Sequence, residues 1–345
     1  MQRRINVMPF STVPTTSLPT LHDVEAAARR IGKYCIETPL LESQYLNQKH
    51  GGRLLLKAES LQVTGSFKLR GAVNRVGSLT DDERRRGVVA RSSGNHGLAI
   101  AYCAGLMGTS AVVVVPETAP AAKAERIATY GARVVKVPMK DLADVAAEIT
   151  QREDRVLIPP ADDFWVVAGA GTVALEMAEQ AARLNAQIDV LLTCCSGGGL
   201  TAGCLLGLSK ASPSTKVYGV EAVGFEKMAK SLAAGKRINL APGGHSICDA
   251  ISGLYMAEIP FEIIRPDLAG TFAVTDDEAK EAMRVAFSEF GLALEPGSAV
   301  ALAAVLARKI PLEGRTFAVT LSGRNVDLDL AGAILASGEP TVGRA

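Results

Sequence analysis

A chain of 345 residues with 48% hydrophobic content can bury a large core and reads as two lobes rather than one. Its 37 Lys+Arg against 36 Asp+Glu leave a formal charge of +1 with no basic block, which excludes a nucleic-acid partner on electrostatic grounds. No apolar run reaches the roughly 18 to 20 residues that span a bilayer, and Met1 to Pro14 lacks the apolar centre of a secretory signal, so no membrane partner and a cytoplasmic location are expected.

Residues 1–19 carry Pro, Ser and Thr without periodicity and read as a mobile arm. From Gly87 onward short β-branched runs alternate with Ala-rich amphipathic stretches, the pattern of a parallel α/β sheet. Strand Val88 to Ala90 leads to helix Asn95 to Leu106, strand Ala111 to Val115 to helix Ala119 to Tyr130, and strand Arg133 to Val137 to helix Leu142 to Gln151. Strand Val156 to Ile158 closes this lobe of about four strands.

A second series runs through helix Ala168 to Leu184, strand Val190 to Cys195, helix Leu200 to Leu208 and strand Lys216 to Glu221. Helices follow from Asp276 and Gly297, then strand Thr316 to Leu321 and helix Val326 to Leu335. Residues 20–86 and 160–345 are assigned to a large domain and residues 87–159 to a small domain inserted in it, with ligands expected at strand C-termini facing the cleft between them.

The six cysteines, Cys35, Cys103, Cys194, Cys195, Cys204 and Cys248, form no zinc or redox spacing and read as buried, reduced thiols. Cys194 and Cys195 adjoin on a strand, where alternation sends them to opposite faces. His22, His50 and His245 share no ligand spacing, and no metal is assigned.

Three polar turns follow predicted strands, and they are expected along one sheet edge. Ser92-Ser93-Gly94-Asn95-His96 gathers hydroxyls and free N–H groups at a helix start, as a carboxylate site requires, although capping alone needs only one such residue. Ser196-Gly197-Gly198-Gly199-Leu200 can converge backbone N–H groups on a phosphate. The same loop satisfies G-x-G-x-x-A through Gly197, Gly199 and Ala202, with Glu221 where a ribose-binding acid would sit, so a nicotinamide dehydrogenase and plain tight packing stay open. Ser322-Gly323-Arg324-Asn325 is the third turn.

Lys68 stands in Gly65-Ser66-Phe67-Lys68-Leu69-Arg70-Gly71-Ala72 at a probable helix start. There the positive helix end and burial both disfavour an ammonium, and a neutral amine can attack an aldehyde. An amine, a phosphate cradle and a ring-nitrogen partner together point to pyridoxal phosphate (PLP).

These residues, with Leu61-Gln62, Leu294-Glu295-Pro296 and Asn325-Val326-Asp327, resemble the threonine/serine dehydratase and serine racemase group of PLP enzymes over residues 20–335. The resemblance implies fold type II, an α/β fold of two lobes, each a mostly parallel twisted sheet flanked by helices. It implies that Lys68 bonds the cofactor aldehyde, Phe67 packs beside the ring, Asn95 meets the ring hydroxyl, and Ser196 to Leu200 hold the phosphate. Glu295 is counted with the cofactor-binding set, and Ser322 meets the pyridine nitrogen.

The activity implied is an ammonia-lyase that converts a β-hydroxy amino acid of the threonine or serine type to a 2-oxo acid and ammonia. Lys68 is the base, while Ser92, Ser93, Gly94 and His96 hold the carboxylate. Ser93 also matches the group's opposite-face acid/base, where dedicated threonine dehydratases commonly carry alanine, so a serine or aspartate racemase is the alternative. Arg324 departs from a usual glycine and is counted with the substrate-binding residues, as a partner for a second substrate carboxylate such as that of 3-hydroxyaspartate, with a solvent-facing side chain as the alternative. Glu221 matches an acid that binds a divalent ion in the racemase-like branch, but Phe225 and Lys227 fall where other ligands are expected. A binding protein without turnover is a further alternative, and a homodimer or higher homo-oligomer is expected.

Overall fold

A computed structural model describes residues 17–337, so most of the arm expected over residues 1–19 lies outside the described residues. In chain order the first half contains α1 (Leu21–Ile31), β1 (Leu40–Glu42), α2 (Gln44–His50), β2 (Arg53–Lys57), α3 (Lys68–Gly77), α4 (Asp81–Arg86), β3 (Val88–Arg91), α5 (Asn95–Leu106), β4 (Ala111–Pro116), α6 (Ala121–Thr129), β5 (Arg133–Val137), α7 (Leu142–Arg152) and β6 (Val156–Leu157). The second half contains α8 (Phe164–Arg183), β7 (Val190–Cys194), α9 (Gly199–Ala211), β8 (Lys216–Ala222), α10 (Lys227–Ala234), α11 (Glu258–Asp267), β9 (Gly270–Val274), α12 (Asp276–Phe290), α13 (Pro296–Leu306), β10 (Thr316–Thr320) and α14 (Leu328–Ala336).

Two sheets result. One has four parallel strands in the order β5-β4-β3-β6, and the other has six in the order β1-β2-β10-β7-β8-β9, with only the β1–β2 pair antiparallel. The valine runs of the four-stranded sheet are buried on both faces, as parallel strands require. Val88, Ala90, Val113 and Val115 pack under α3 and α5, while Val89, Val112 and Val114 pack under α7. The larger sheet buries Leu54, Leu56, Leu192 and Val319 in a core shared with α8, α12 and α13.

Close approach between α8 and α9 depends on missing side chains. A Cβ at Gly203 would lie 2.5 Å from the backbone nitrogen of Gly171 and 2.8 Å from the Val167 carbonyl, so neither can be substituted without separating the helices. Strand β9 has no counterpart among the elements expected from periodicity: its sequence GTFAV sits at the sheet edge, mostly half-buried, and shows little alternation.

The three polar turns do not share one sheet edge. The Ser92 turn follows β3 in the four-stranded sheet, whereas the Ser196 and Ser322 turns follow neighbouring β7 and β10 in the six-stranded sheet. Periodicity reports a strand's character but not which sheet it joins, and here the two sheets turn their strand C-termini to a common cleft.

Beneath that cleft lies a buried ion network. The Arg70 guanidinium, on the first turn of α3, is fully buried and donates at 2.7 Å to both oxygens of Glu59 and both of Glu176. Lys57 Nζ on β2 adds a 2.8 Å bond to Glu176 and a 2.6 Å bond to the Thr38 carbonyl. Burial pushes the Glu59 carboxyl upward, but Arg70, Lys57 and Thr38 outweigh it and hold it below the ordinary carboxylate range. Loss of the guanidinium in Arg70→Met would leave the wholly buried Glu59 carboxylate without its paired charge, and an unfolding free energy lower by about 3–5 kcal/mol is expected in denaturant titration. Because the folded Glu59 value lies below the unfolded one, its contribution is present above the unfolded value and fades as pH falls through the folded value.

Candidate active site

Lys68 is positioned by a short backbone clamp. Ser66 and Gly323 form an antiparallel bridge, with Phe67 N–H donating to the Ser322 carbonyl at 3.0 Å and Arg324 N–H to the Gly65 carbonyl at 2.9 Å. Gly65 adopts φ 81°, and a Cβ there would sit 2.7 Å from Asn325 Oδ1, so glycine is required on both counts. The clamp ties the lysine to the turn after β10.

The Lys68 amine is half-buried, donates to the Pro160 carbonyl at 2.7 Å and lies 5.1 Å from the Phe67 ring centre. Desolvation lowers it to about 8, against weaker opposite pulls from Cys194 and Glu295. A lysine poised between ammonium and amine near neutrality suits carbonyl chemistry rather than a structural ion pair.

The amine opens into a cavity of about 490 Å³ whose walls include Ser92 to His96, Ser196 to Leu200, Glu295 and Ser322, a volume suited to a small cofactor with its substrate. The glycine loop fits a phosphate. Gly198 has φ 95°, and a Cβ there would meet Met256 Cε at 2.8 Å and Pro260 Cβ at 2.9 Å, so the backbone is bare where the first-turn N–H groups of the 13-residue α9 emerge.

Ser322 Oγ is buried within 2.9 Å of Ser298 Oγ and accepts from Cys194 Sγ at 3.1 Å. Asn95 Nδ2 donates to Glu295 Oε1 at 2.5 Å, and Asn95 Oδ1 accepts from Asn325 Nδ2 at 2.5 Å. Arg126 on α6 donates at 2.8 Å to Asn325 Oδ1, carrying the chain of bonds across the cleft. Ser92 Oγ accepts from the Gly94 N–H at 3.2 Å, and Ser93 lines the cavity half-buried.

Two assignments change. The His96 ring is buried with Nε2 at 2.8 Å from the Ile158 carbonyl, and burial and Lys68 lower it to about 3. It is therefore a neutral ring bonded away from substrate, and only its backbone N–H, in the first turn of α5, is available to a carboxylate. Arg324 is exposed and outside the cavity wall, because the Ser66–Gly323 bridge turns the following residue outward.

Glu221 is fully engaged. Its oxygens accept from Met228 N–H at 2.8 Å and Ala229 N–H at 3.1 Å, and Lys227 Nζ, wholly buried, lies 3.6 Å away while donating to the Ile251 carbonyl at 3.0 Å. An ammonium thus occupies the oxygen pocket, and no ribose hydroxyl reaches the carboxylate. Among the described residues no group of three His, Cys, Asp or Glu could hold a metal ion.

Cavity residues that sequence reasoning missed include Cys194, Arg91, Lys123, Pro160 and Tyr255. Cys194 and Cys195 do face opposite sides, Cys194 toward the Ser322 hydroxyl and Cys195 into a cluster with Met228 and Phe261. The strand alternation held that signal for Cys194. Tyr255, in an irregular segment, offered none.

Residues 32–323 match the family model of pyridoxal-phosphate dependent enzymes. The chain is 36% identical to a serine racemase of Dictyostelium discoideum, covering 92% of this chain and 98% of that one, and 34% identical to an L-threo-3-hydroxyaspartate ammonia-lyase of Saccharomyces cerevisiae, covering 94% and 99%. Its fold superposes on the crystal structure of a T.th. threonine deaminase with a TM-score of 0.86 at 39% identity, covering 90% of this chain and 99% of that one. The chain belongs to the pyridoxal-phosphate-dependent enzyme family. Its relatives lie in the threonine/serine dehydratase and serine racemase group, and its fold is type II.

An amine must be neutral to attack an aldehyde, and the Lys68 value is depressed to about 8. Cofactor uptake by the apoprotein, followed by near-visible absorbance over about pH 6 to 9, should therefore accelerate with rising pH and level off above about 8. A rate independent of pH would place the attacking amine elsewhere.

Proposed function

We propose that this enzyme is a PLP-dependent ammonia-lyase that removes water and ammonia from a β-hydroxy amino acid of the threonine or serine type to give a 2-oxo acid. The observation that carries the reading is that a depressed lysine and the Ser322 hydroxyl line one cavity, and it supports placing a hydroxyl rather than a carboxylate at the ring-nitrogen end. The bound cofactor supplies electron withdrawal at Cα.

The protein's own groups do the rest. The glycine loop from Ser196 to Leu200 holds the phosphate, Phe67 packs against the ring, and Asn95, whose Nδ2 has a second proton beyond the one given to Glu295, meets the ring hydroxyl. Backbone N–H groups of the Ser92–His96 turn hold the substrate carboxylate at the start of α5. Lys68 is tether first and then, once released, the base that takes the Cα proton. A hydroxyl partner at the ring withdraws charge weakly, so charge stays near Cα and expels the β-hydroxyl.

Racemisation is the second reading, and Ser93 favours it. Lys68 is clamped to the turn of the six-stranded sheet, while Ser93 hangs from the turn of the four-stranded sheet, so proton donors enter one cavity from both lobes. A 3-hydroxyaspartate preference loses its support from Arg324, which faces solvent. A cytoplasmic location belongs to the same reading, supported by six free cysteines, and a homo-oligomer is proposed with it.

Replacing the amine in Lys68→Ala should remove both the lysine-dependent cofactor absorbance and turnover, the latter by at least about 10³-fold for a group serving as nucleophile and base. Ser93→Ala should abolish D/L interconversion while leaving 2-oxo acid formation measurable. Equal loss of the two activities would reduce Ser93 to carboxylate binding.

A further inference from the structure

Lys227 is a buried cation that the mechanism above does not use. Its Nζ donates to the Ile251 carbonyl at 3.0 Å and to the Phe225 carbonyl at 3.3 Å, and lies 3.6 Å from Glu221 Oε1. The side chain is 0% exposed, and an isolated ammonium in such a place is strongly destabilising, so the oxygens around it are required. Glu221, near the end of β8, is held in turn against the first turn of α10 by the Met228 and Ala229 N–H groups.

One carboxylate and two carbonyls are a hard oxygen set of the kind that holds a divalent ion, yet all three lie around the lysine ammonium. A divalent ion and the ammonium do not share such a pocket, because two cations beside one carboxylate repel with no water to screen them. These residues therefore do not fit the bound ion that the resemblance attaches to Glu221. They fit a cation carried on the chain itself.

What the ammonium anchors is a wall of the cavity. Residues 235–257, between α10 and α11, contain no helix or strand beyond one short turn at Asp249–Ile251, an irregular stretch long enough to need specific anchors. Asp249, Ala250, Ile251, Gly253 and Tyr255 of this stretch line the cavity. The stretch also packs on the glycine loop: a Cβ at Gly253 would lie 3.1 Å from Ser196 Oγ, and the Ala257 N–H donates to the Gly197 carbonyl at 3.0 Å. Through its bond to the Ile251 carbonyl, Lys227 ties the end of β8 to the backbone of that wall.

We propose that Lys227 is a built-in cation: its ammonium takes the place of a divalent ion beside Glu221 and, as a positioning residue, fixes the Asp249–Tyr255 wall of the cavity, so that the enzyme needs no added cation. The role is the same whether the site performs elimination or racemisation, since it concerns the shape of the cavity and not the protons moved in it. Loss of the ammonium leaves the Ile251 carbonyl without its donor and the wall free to shift against the glycine loop, which loosens the cofactor.

The test uses chelator-treated holoenzyme with calcium chloride at about 1 mM as the probe. The readouts are the visible circular dichroism of the bound cofactor and its dissociation constant on dilution, with kcat/KM beside them. Wild type should respond to neither calcium nor chelator. Lys227→Ala, which vacates the oxygen pocket, should hold the cofactor at least about tenfold more weakly in chelator and recover in calcium, and a Lys227→Ala protein that folds only in calcium supports the same assignment. Adding Glu221→Gln to Lys227→Ala should abolish the recovery. Lys227→Met combined with Glu221→Gln keeps the volume and buries no charge, so it should fold without calcium and still bind the cofactor weakly. A wild type whose dichroism or activity changes with calcium or chelator would overturn the built-in cation, as would a Lys227→Ala protein that calcium does not restore. Unaltered cofactor binding and dichroism in the neutral double variant would overturn the positioning role.

Discussion

The position of the reactive amine depends on a charge that never reaches the cavity. Arg70, two residues beyond Lys68 on α3, is wholly buried and satisfied by four oxygens of Glu59 and Glu176. A guanidinium in such a place has few alternatives, because any shift of α3 would break bidentate pairs, one of them to a Glu59 carboxylate that cannot recover water. The helix start is therefore held from below by Arg70 and from above by the Ser66–Gly323 bridge. Lys68 has little freedom except along its own side chain.

That rigidity explains how a soft set of polar groups can be tuned. The cavity contains an amine lowered to about 8, a carboxyl raised to about 7 and an imidazole lowered to about 3, all shifted first by desolvation. Burial pushes acids and bases in opposite directions and so brings the Lys68 and Glu295 values together. The imidazole is lowered as the lysine is, but from a lower starting value, and so leaves the working range and serves as a neutral strut to Ile158. The side chains of Arg126, Asn325, Asn95 and Glu295 then bond in a row that links the polar turns of the two sheets.

Much of this was legible from local pattern. The strands β3, β4, β5 and β7 and the helix α5 follow directly from β-branched runs and Ala-rich stretches. Lys68, the triple-glycine loop, the Ser92 turn and Ser322 were marked by residue types whose backbone or side-chain chemistry is unusual for their surroundings. Glu221 and Arg324 stayed ambiguous, since a charged residue at a strand end has the same local signature whether it faces a ligand, a buried lysine or solvent.

What the sequence alone determined is the alternation of elements and the presence of an amine, an anion cradle and polar turns, because periodicity, glycine and capping chemistry act over a few residues. Which turns face each other was decided only by tertiary structure. Ser92 and Ser322 lie on different sheets, Glu295 reaches Asn95 across two hundred residues of chain, and Lys227 fills the pocket beside Glu221. Such pairings are set by how whole layers pack, and the desolvation that gives the Lys68 and Glu295 groups their values exists only once those layers have closed.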